Sequence, residues 1–330
     1  MILVTGGTGF IGRRLLHRLL ERGEQLKVLV RPDSLAPLPQ AKEVEVVVGD
    51  ITDPSAVRKA VEGCKVVMHL AALRARFHPD HSAFERVNVV GTRTVLEEAL
   101  EQGVGKVLHV STAMVLGSSQ GRPKAEGNHG SLVRFVSKYQ RTKFLADLEA
   151  KRFLEHGLPV VILFPSTTYG PSLARGESPV TDIALAFARG RFVPLIGTGD
   201  CRCNLVYVED VVDGLLLALD RGRPGEGYIL GGENVSPREF LALLGELTGR
   251  SIPRWHIPAW TARTAGWIFE KVALVTKKRP PLTRTTIDIL SEEWMVSSEK
   301  AEKELGYRPT PLKEGLRRTL AACLERSSAP

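Results

Sequence analysis

The stretch Thr5-Gly6-Gly7-Thr8-Gly9-Phe10-Ile11-Gly12 follows a short apolar run and precedes apolar residues at helical spacing. Gly6 allows a tight turn, because glycine accepts backbone angles that other residues avoid. Gly9 lets the backbone approach a pyrophosphate with no Cβ in the way, and Gly12 lets the next helix pack closely on a sheet. The spacing therefore predicts a dinucleotide-binding turn between a first strand and a first helix.

The helix after this turn is expected to begin at Phe10. The first backbone N–H groups of a helix, here those of Phe10 and Ile11, have no partner within the helix and attract phosphates. A glycine-rich turn without a ligand is the alternative. Its place directly between a strand and a helix favours the dinucleotide site.

The first half of the chain alternates apolar runs that suit strands with amphipathic stretches that suit helices. The runs are Ile2–Thr5, Leu26–Val30, Val44–Val48, Val66–Leu70, Val107–Val110 and Val160–Phe164. This alternation predicts an α/β fold, a doubly wound parallel sheet of the Rossmann type with helices on both faces. After about Pro171, prolines interrupt short helical patterns, which predicts a smaller, mostly helical C-terminal substrate lobe.

These patterns divide the chain into two interleaved parts. Residues 1–170 are predicted to form the dinucleotide-binding domain, and residues 204–230 to return to it as a strand, a helix and a strand. Residues 171–203 and 231–330 are assigned to the substrate lobe.

The composition of the 330 residues is that of a globular protein, with 43% hydrophobic and 25% charged residues. The net charge of +8 is spread widely. Without a basic stripe and interleaved aromatic residues, nucleic acid is not an expected partner. The one dense basic run, Lys277-Lys278-Arg279, is expected on a solvated surface, with an anionic partner or a membrane face as the alternative.

Four cysteines are too few for a disulfide scaffold in a chain of this length, so a reducing, cytoplasmic location is expected. A strand at the very start of this sequence leaves no room for a leader. Cys201 and Cys203 have no second ligand pair at zinc spacing, and His69 reads as a packed residue at a strand end. No metal is therefore predicted.

No run of about 18 residues lacks charge, so no membrane-spanning helix is predicted. The nearest stretch is Ile257–Val275, which Arg263, Glu270 and Lys271 interrupt. Peripheral association, with this stretch lying in a membrane interface, is compatible with the pattern.

Tyr139 and Lys143 form a Tyr-x-x-x-Lys pattern, and residues four apart lie on one face of a helix. A phenol with a pKa near ~10 is a poor base at neutral pH. A nearby ammonium group stabilises the phenolate and lowers that pKa. Lys143 could also bond a nicotinamide ribose, which would position cofactor and base together. The pattern is common by chance and needs support from the rest of the sequence.

That support comes from a family resemblance. The spacing of the three glycines, with Tyr139 and Lys143, resembles the extended branch of the short-chain dehydrogenase/reductase superfamily over nearly the whole chain. The resemblance places the catalytic hydroxyl at Thr112, with Ser111 as its neighbour, about 27 residues before the tyrosine. It implies that Thr112 bonds the substrate oxygen and that Tyr139 exchanges the proton while hydride moves to or from nicotinamide. Relatives usually pair as homodimers.

The resemblance also implies contacts at the adenine and the pyrophosphate. Asp50 and Ile51, after the third strand, are expected to border the adenine. Leu70, Ala71 and Ala72, at the end of the fourth strand, are expected beside the pyrophosphate.

Four further residues carry roles by the same resemblance. Arg74 stands where the family often has a basic phosphate contact, and Asn88 matches a helix asparagine that helps to orient the catalytic lysine. Pro165 and Thr168 belong to a segment that resembles the one holding the nicotinamide end.

Arg31 at the tip of the second strand bears on the choice of cofactor. NAD-binding folds have an acidic residue there for the ribose 2′-hydroxyl. A guanidinium suits a 2′-phosphate, which favours NADP(H) over NAD(H). Asp33 keeps NAD(H) open, since a loop movement would bring its carboxylate to the ribose. Stacking of Arg31 on the adenine would fit either cofactor.

Three features bear on the substrate. Sugar dehydratases of the family carry an Asp-Glu pair after the catalytic hydroxyl, where this chain has Ala113-Met114. Many nucleotide-sugar enzymes carry an arginine at the position of Cys203, although Arg202 is adjacent. The distal lobe is rich in apolar side chains, which also suit a lobe core or a dimer seam, namely Trp255, Ile257, Trp260, Trp267, Ile268 and Phe269.

The sequence therefore predicts an NADP(H)-dependent oxidoreductase that interconverts a ketone and a secondary alcohol. The expected substrate is a small apolar molecule, such as a β-keto acid or a steroid-like or flavonoid-like compound. A nucleotide-sugar epimerase or reductase is the first alternative. A non-catalytic regulatory protein that binds the cofactor is an alternative of another class.

Overall fold

The structure is a computed structural model, and it describes residues 1–34, 38, 42–75, 77–127, 134–174, 176–252, 255–278 and 280–328. Arg279, the last residue of the basic run, lies outside the described residues.

A seven-stranded parallel sheet forms the centre of the described chain. In spatial order its strands are β10 (Gly227–Leu230), β6 (Val160–Pro165), β5 (Lys106–Val110), β4 (Val66–His69), β1 (Ile2–Thr5), β2 (Leu26–Val30) and β3 (Val44–Val48). Because β1 pairs with both β2 and β4, Ile2 lies opposite Leu26 on one side and Val66 on the other. The strand order reverses between β1 and β4. In such sheets ligands bind at this reversal, outside the carboxyl ends of the strands.

Helices cover both faces of this sheet. On one face lie α1 (Gly12–Glu21), α7 (Val208–Arg221) and α11 (Glu299–Leu305), and on the other α2 (Pro54–Val61), α4 (Gly91–Glu101) and α5 (Lys138–Glu155). Successive residues of a strand point to opposite faces. Accordingly Val4 joins the core around Leu15 of α1, while Leu3 joins the core around Val57 of α2. A short helix, α3 (Ala83–Glu85), and a π-helical turn at Arg86–Val90 lead into α4.

The smaller lobe has its own core. Its three-stranded sheet consists of β7 (Thr167–Tyr169), β9 (Cys203–Tyr207) and β11 (Glu233–Val235). Phe187, Leu244 and Leu316 belong to this core, which lies among α6 (Pro179–Ala188), α8 (Pro237–Thr248) and α12 (Leu312–Ser328). Two short strands, β8 (Leu195–Ile196) and β12 (His256–Ile257), pair beside it. A hairpin of two helices follows, formed by α9 (Ala259–Thr276) and α10 (Arg284–Leu290).

The predicted fold class and all six predicted strands of the large sheet are confirmed. The predicted helix after the glycine turn begins at Gly12 and not at Phe10. Within residues 204–230, β10 pairs with β6 of the large sheet, whereas β9 belongs to the second sheet. The first strand of the expected returning segment therefore does not join the dinucleotide-binding sheet. The division into domains at the stated residues stays a prediction.

Candidate active site

The glycine turn lies at the carboxyl end of β1, where backbone segments approach closely. Gly6 has a φ of +73°, and a Cβ there would lie 2.7 Å from the backbone nitrogen of Ala71. A Cβ on Gly12 would lie 2.2 Å from the carbonyl oxygen of Gly6. The three atoms nearest to this Cβ all belong to Gly6 and Gly7 of the turn itself. A Cβ on Gly9 would lie 3.2 Å from that same oxygen.

The N-terminus of α1 is suited to an anion. Ile11 is its N-cap residue, and among the described residues no side chain caps it and no acidic residue occupies its first turn. By contrast, the hydroxyls of Ser137 and Ser178 cap α5 and α6. Uncapped N–H groups and the helix dipole favour negative charge at this point. The predicted turn, including Phe10 and Ile11, therefore fits the pyrophosphate of a dinucleotide.

The residues expected at the adenosine end lie after β2 and β3. Arg31 is largely exposed, and its Nε lies 3.5 Å from a carboxylate oxygen of Asp33. Arg31, which favours NADP(H), and Asp33, which would favour NAD(H), therefore contact each other. Asp50 accepts a hydrogen bond of 2.9 Å from a backbone N–H two residues later, and Ile51 is buried.

Leu70, Ala71 and Ala72 follow β4 and lie against the glycine turn, half-buried. The backbone N–H groups of Leu70 and Ala71 donate to the carbonyl and hydroxyl oxygens of Thr5, over 3.1 and 3.3 Å. The structure therefore brings together the two segments that the sequence predicts at the pyrophosphate.

Asn88 is buried in the π-helical turn before α4. Its side chain accepts a hydrogen bond of 2.7 Å from the backbone N–H of Leu73 and donates one of 3.0 Å to the hydroxyl of Thr142. Asn88 therefore contacts the neighbour of Lys143 in sequence. Single π-helical turns inside helices are frequent at functional sites.

Glu177 connects α1 with the smaller lobe. Arg13 donates two hydrogen bonds of 2.6 and 2.7 Å to its carboxylate, and Arg74 donates to its backbone carbonyl oxygen. Burial raises the pKa of Glu177, but the hydrogen bonds and the positive charge of Arg13, together with backbone N–H groups, outweigh burial, and the pKa lies below its usual value. Sequence reasoning missed this residue, because a pair 164 positions apart leaves no local pattern.

Thr112, Tyr139 and Lys143 come together at the carboxyl end of β5. Tyr139 and Lys143 lie one turn apart near the start of α5, and the side chain of Thr112 is close enough to the Tyr139 phenol to lower its pKa. The ammonium group of Lys143 is fully buried and donates a hydrogen bond of 2.9 Å to the carbonyl oxygen of Val110. The predicted catalytic residues thus form one cluster.

The ionisation of this cluster is governed first by burial. Burial raises the pKa of Tyr139, while the positive charge of Arg74 and the hydrogen bond with Thr112 lower it. Burial lowers the pKa of Lys143 to about 8, against the negative charge of Asp147. Sequence reasoning did not anticipate the effect of Arg74 on this phenol, and the role of Lys143 beside the phenolate stays a prediction.

A buried polar network lies behind the cluster. The carboxylate of Asp147 accepts a hydrogen bond of 2.6 Å from the hydroxyl of Ser111 and lies 2.9 Å from Nε2 of His109. The His109 ring stacks on that of His69, with 5.7 Å between their centroids. Nδ1 of His69 lies 2.7 Å from the hydroxyl of Thr5, which begins the glycine turn. The network therefore links the turn to the helix that carries Lys143.

Sequence reasoning did not single out Asp147. Its position four residues after Lys143, on the same helix face, was the available signal. An acid at this spacing is common in solvent-exposed helices, and only the burial of both side chains distinguishes this pair.

The segment expected at the nicotinamide end leaves the large sheet for the small one. Pro165 ends β6, and Thr168 lies in β7. The hydroxyl of Thr168 donates to the carbonyl oxygen of Ser166 over 3.0 Å, and its own carbonyl oxygen accepts 2.9 Å from the hydroxyl of Ser178.

The positions that bear on the choice of substrate lie directly after Thr112 and on the surface of the smaller lobe. Ala113 is buried and Met114 half-buried after Thr112, so this chain has no acid at the two places after the catalytic hydroxyl. Arg202 forms a 2.8 Å ion pair with Glu239 on the lobe surface.

The large apolar residues that the sequence indicates in the distal lobe do not form a lobe core, whereas their alternative role in a dimer seam stays a prediction. Trp255, Trp260, Trp267, Ile268 and Phe269 all belong to the exposed apolar side chains. Their composition therefore supports no argument about a closed apolar pocket.

Comparison with known proteins gives consistent matches. A family model described as the NAD dependent epimerase/dehydratase family matches residues 2–231. The chain is 34% identical to a putative dihydroflavonol 4-reductase of Synechocystis sp., over 95% of this chain and 91% of the relative. It is 33% identical to the 4-hydroxy-2-methyl-3-oxo-4-farnesyl-3,4-dihydroquinoline-1-oxide ketoreductase of Stigmatella aurantiaca, over 92% and 90%.

A similar solved structure is DesIV, a dTDP-glucose 4,6-dehydratase from Streptomyces venezuelae, with NAD and TYD bound. It is 28% identical and has a TM-score of 0.78, with 98% of this chain and 97% of that chain covered.

Proposed function

Because the chain belongs to the NAD dependent epimerase/dehydratase family, whose members are NAD(P)-dependent enzymes acting on CH–OH groups, we propose that it interconverts a ketone and a secondary alcohol. The proposed cofactor is NADP(H). The proposed substrate is a small apolar molecule, such as a β-keto acid or a steroid-like or flavonoid-like compound.

The cluster of Thr112, Tyr139 and Lys143 is the observation that carries this proposal. When bound, the nicotinamide supplies or accepts the hydride at the substrate carbon. Thr112 donates a hydrogen bond to the substrate oxygen, and the Tyr139 phenol gives that oxygen its proton during reduction. Lys143 holds a positive charge one helical turn away and bonds the cofactor ribose. A ketone, a hydride and a proton together give the alcohol.

The proposed cofactor site uses the residues predicted from the sequence. Gly6, Gly9 and Gly12 of the glycine turn and the segment Leu70–Ala72 would hold the pyrophosphate. Asp50 and Ile51 border the adenine, Arg74 contacts a phosphate, and Asn88 supports α5 through Thr142. The nicotinamide end lies at Pro165 and Thr168.

The preference for NADP(H) rests on Arg31. An exposed guanidinium at the tip of β2 can pair with a 2′-phosphate, since Asp33 is bound to it only through a weakly held surface contact. NAD(H) would require Asp33 to turn from Arg31 toward the ribose hydroxyls.

The apolar substrate class is supported by two observations. Ala113 and Met114 cannot act as the acid and base of a sugar dehydration, because neither side chain ionises. The relative from Stigmatella aurantiaca is named as a ketoreductase of a farnesylated quinoline oxide, which is largely apolar.

The test is a cofactor assay with a substrate panel. Purified protein is titrated with NADPH and NADH, and cofactor oxidation is then followed with β-keto acids, ketosteroids, flavonoid ketones and nucleotide sugars. We expect NADPH oxidation with an apolar ketone. Conversion of a nucleotide sugar without net cofactor consumption would identify an epimerase and overturn the proposal. Cofactor binding without turnover of any substrate would favour a regulatory protein.

A further inference from the structure

Among the described helices, α9 carries the largest number of exposed large apolar side chains. Trp260 is 73% exposed and Val275 is 84% exposed, and Trp255, just before the helix, is 78% exposed. Globular proteins rarely leave large apolar side chains exposed together unless the patch binds something. We call this patch the α9 face, and it consists of Trp255, Trp260, Trp267, Ile268, Leu274 and Val275.

The orientation of α9 reverses the usual pattern of a surface helix. Its buried side consists of the small residues Ala262, Gly266 and Ala273. A Cβ on Gly266 would lie 3.0 Å from the backbone nitrogen of Arg284, so α9 packs closely on the start of α10 along this side. Trp260 and Trp267, seven residues apart, lie on the side turned away from this contact. An amphipathic helix normally buries its large apolar residues.

The charged groups of this hairpin leave a basic surplus beside the face. Glu270 is paired with Arg284 at 2.8 Å, and Asp288 with Arg263 at 2.9 Å. Lys271 lies on the α9 face itself, 6.0 Å from the centre of the Trp267 ring.

Two further lysines end the helix. Lys277 is its C-cap residue, and Lys278 follows it. Neither they nor Lys271 form an ion pair with any carboxylate in the described ranges of the chain. The charged groups of α9 and its C-terminal end that have no ion-pair partner among the described residues are therefore all positive.

We propose that the α9 face binds the surface of an anionic lipid bilayer, with α9 lying parallel to the membrane. Tryptophan and lysine together on one exposed helix face suit the boundary between headgroups and acyl chains. None of the described helices is long and apolar enough to span a bilayer, so the contact is peripheral. A second copy of the chain would compete for the same face, and its presence there is an outcome of the test.

The binding test uses the full chain and vesicles of stated composition. Vesicles of phosphatidylcholine alone are compared with vesicles that also contain phosphatidylglycerol, by co-sedimentation and by tryptophan fluorescence. Trp255, Trp260 and Trp267 are exposed and Trp294 is buried, so the emission reports mainly on the α9 face. We expect a blue shift and co-sedimentation with the anionic vesicles, both weakened by salt. Absence of binding to anionic vesicles would overturn the proposal.

Two variants distinguish binding through the α9 face from non-specific adsorption of the protein to vesicles. The double variant Trp260→Ser and Trp267→Ser should weaken partitioning to anionic vesicles by roughly tenfold or more, since two interfacial side chains are lost. Phe192→Ser is the matched control, because Phe192 is 69% exposed elsewhere in the lobe, and it should bind as the parent does. Equal binding by the double variant and the parent would also overturn the proposal.

Self-association is tested in parallel by sedimentation equilibrium. A parent dimer that the double variant dissociates, with no vesicle binding by the parent, would assign the face to a second copy and reject the membrane. Because these readouts involve no turnover, they are independent of the proposed reaction.

Discussion

Individual side chains in this protein act through neighbours that are distant in sequence. The pKa of the Tyr139 phenol is lowered by the positive charge of Arg74 and by the side chain of Thr112. Lys143 is held by the carbonyl oxygen of Val110 and by the charge of Asp147. The reactivity of the cluster is therefore set by burial and by three separate chain segments.

Replacing Tyr139 with phenylalanine tests the proton donor. The variant loses the hydroxyl and keeps the ring, so the surrounding packing should persist. We expect a loss of kcat of roughly 10²- to 10⁴-fold, the range of a general acid. Cofactor affinity, measured by fluorescence titration, should change little. Activity close to that of the parent would refute the assigned mechanism.

The pH dependence of reduction follows from Lys143. Reduction needs Tyr139 protonated and Lys143 charged, and burial lowers the pKa of Lys143 to about 8. Activity should therefore fall as the pH rises through about 8. Asp147→Asn removes the charge that raises this pKa, so the fall should move to lower pH by roughly one unit.

A matched control for Asp147→Asn is Glu149→Gln on the same helix. Glu149 is paired with Arg93 at 2.6 Å, and this pair is separate from the buried network of Asp147. This control should leave the pH profile of kcat/KM unchanged. The same profile for Asp147→Asn and the parent would show that Asp147 acts only through packing.

Arg31→Asp tests the cofactor preference. If the guanidinium binds the 2′-phosphate, the variant should lose NADP(H) affinity by about tenfold or more and lose far less for NAD(H). Arg31→Lys keeps the charge and should lose less than Arg31→Asp. Fluorescence titrations measure both cofactors. Equal losses for the two would show that the 2′-phosphate is not bound at Arg31.

At the scale of elements, the glycine turn and α1 depend on contacts between backbone segments. Gly12 starts α1 with its Cα against the carbonyl oxygen of Gly6, and the Leu70–Ala72 segment closes on the turn from β4. The anion site is therefore a product of β1, α1 and β4 together.

Gly12→Ala should disrupt this element. The new Cβ would lie 2.2 Å from a backbone oxygen, so α1 must shift away from the turn. We expect a loss of about 1–3 kcal/mol in the free energy of unfolding, as for overpacking. Cofactor binding should weaken as well. Urea unfolding gives the stability.

Gly105→Ala is the control for this substitution, because its Cβ would lie 3.4 Å from the nearest atom, the carbonyl oxygen of Lys65. It should change the stability by less than about 1 kcal/mol. Similar losses for the two variants would contradict the steric explanation.

At the scale of the whole molecule, the pair of Arg13 and Glu177 joins the large sheet's helix layer to the smaller lobe. Glu177→Gln should lower the free energy of unfolding by about 1–3 kcal/mol, because Arg13 is left buried without its counter-ion. Glu246→Gln, which removes an exposed pair with Lys313, should change it by less than about 1 kcal/mol. Thermal or urea unfolding distinguishes them, and equal effects would contradict the role of burial.

The pH dependence of this contribution has a definite sign. The pKa of Glu177 is lowered in the folded protein, so the folded state binds its proton less readily than the unfolded state. The stabilisation is complete above the ordinary glutamate pKa of about 4.3 and is lost as the pH falls through the lowered value. The difference in stability between parent and Glu177→Gln should therefore shrink in acid.

The sequence by itself determined six of the seven strands of the large sheet, the glycine turn and the spacing of Tyr139 and Lys143. The residues that define these features recur every two to four positions, and such spacings follow directly from the local geometry of strands and helices. The start of α1 at Gly12 was missed, because helix boundaries depend on contacts that short patterns do not contain.

Only the tertiary structure decided which charges meet and which apolar residues stay exposed. The charge of Arg74 acts on Tyr139, Glu177 pairs with Arg13, and the charge of the buried Asp147 acts on Lys143. The tryptophans of α9 have the composition of a core, yet the close packing of Gly266 on α10 turns them outward. The burial of a side chain and the charges around it depend on segments that are distant in sequence. Both are therefore defined only when the chain is folded.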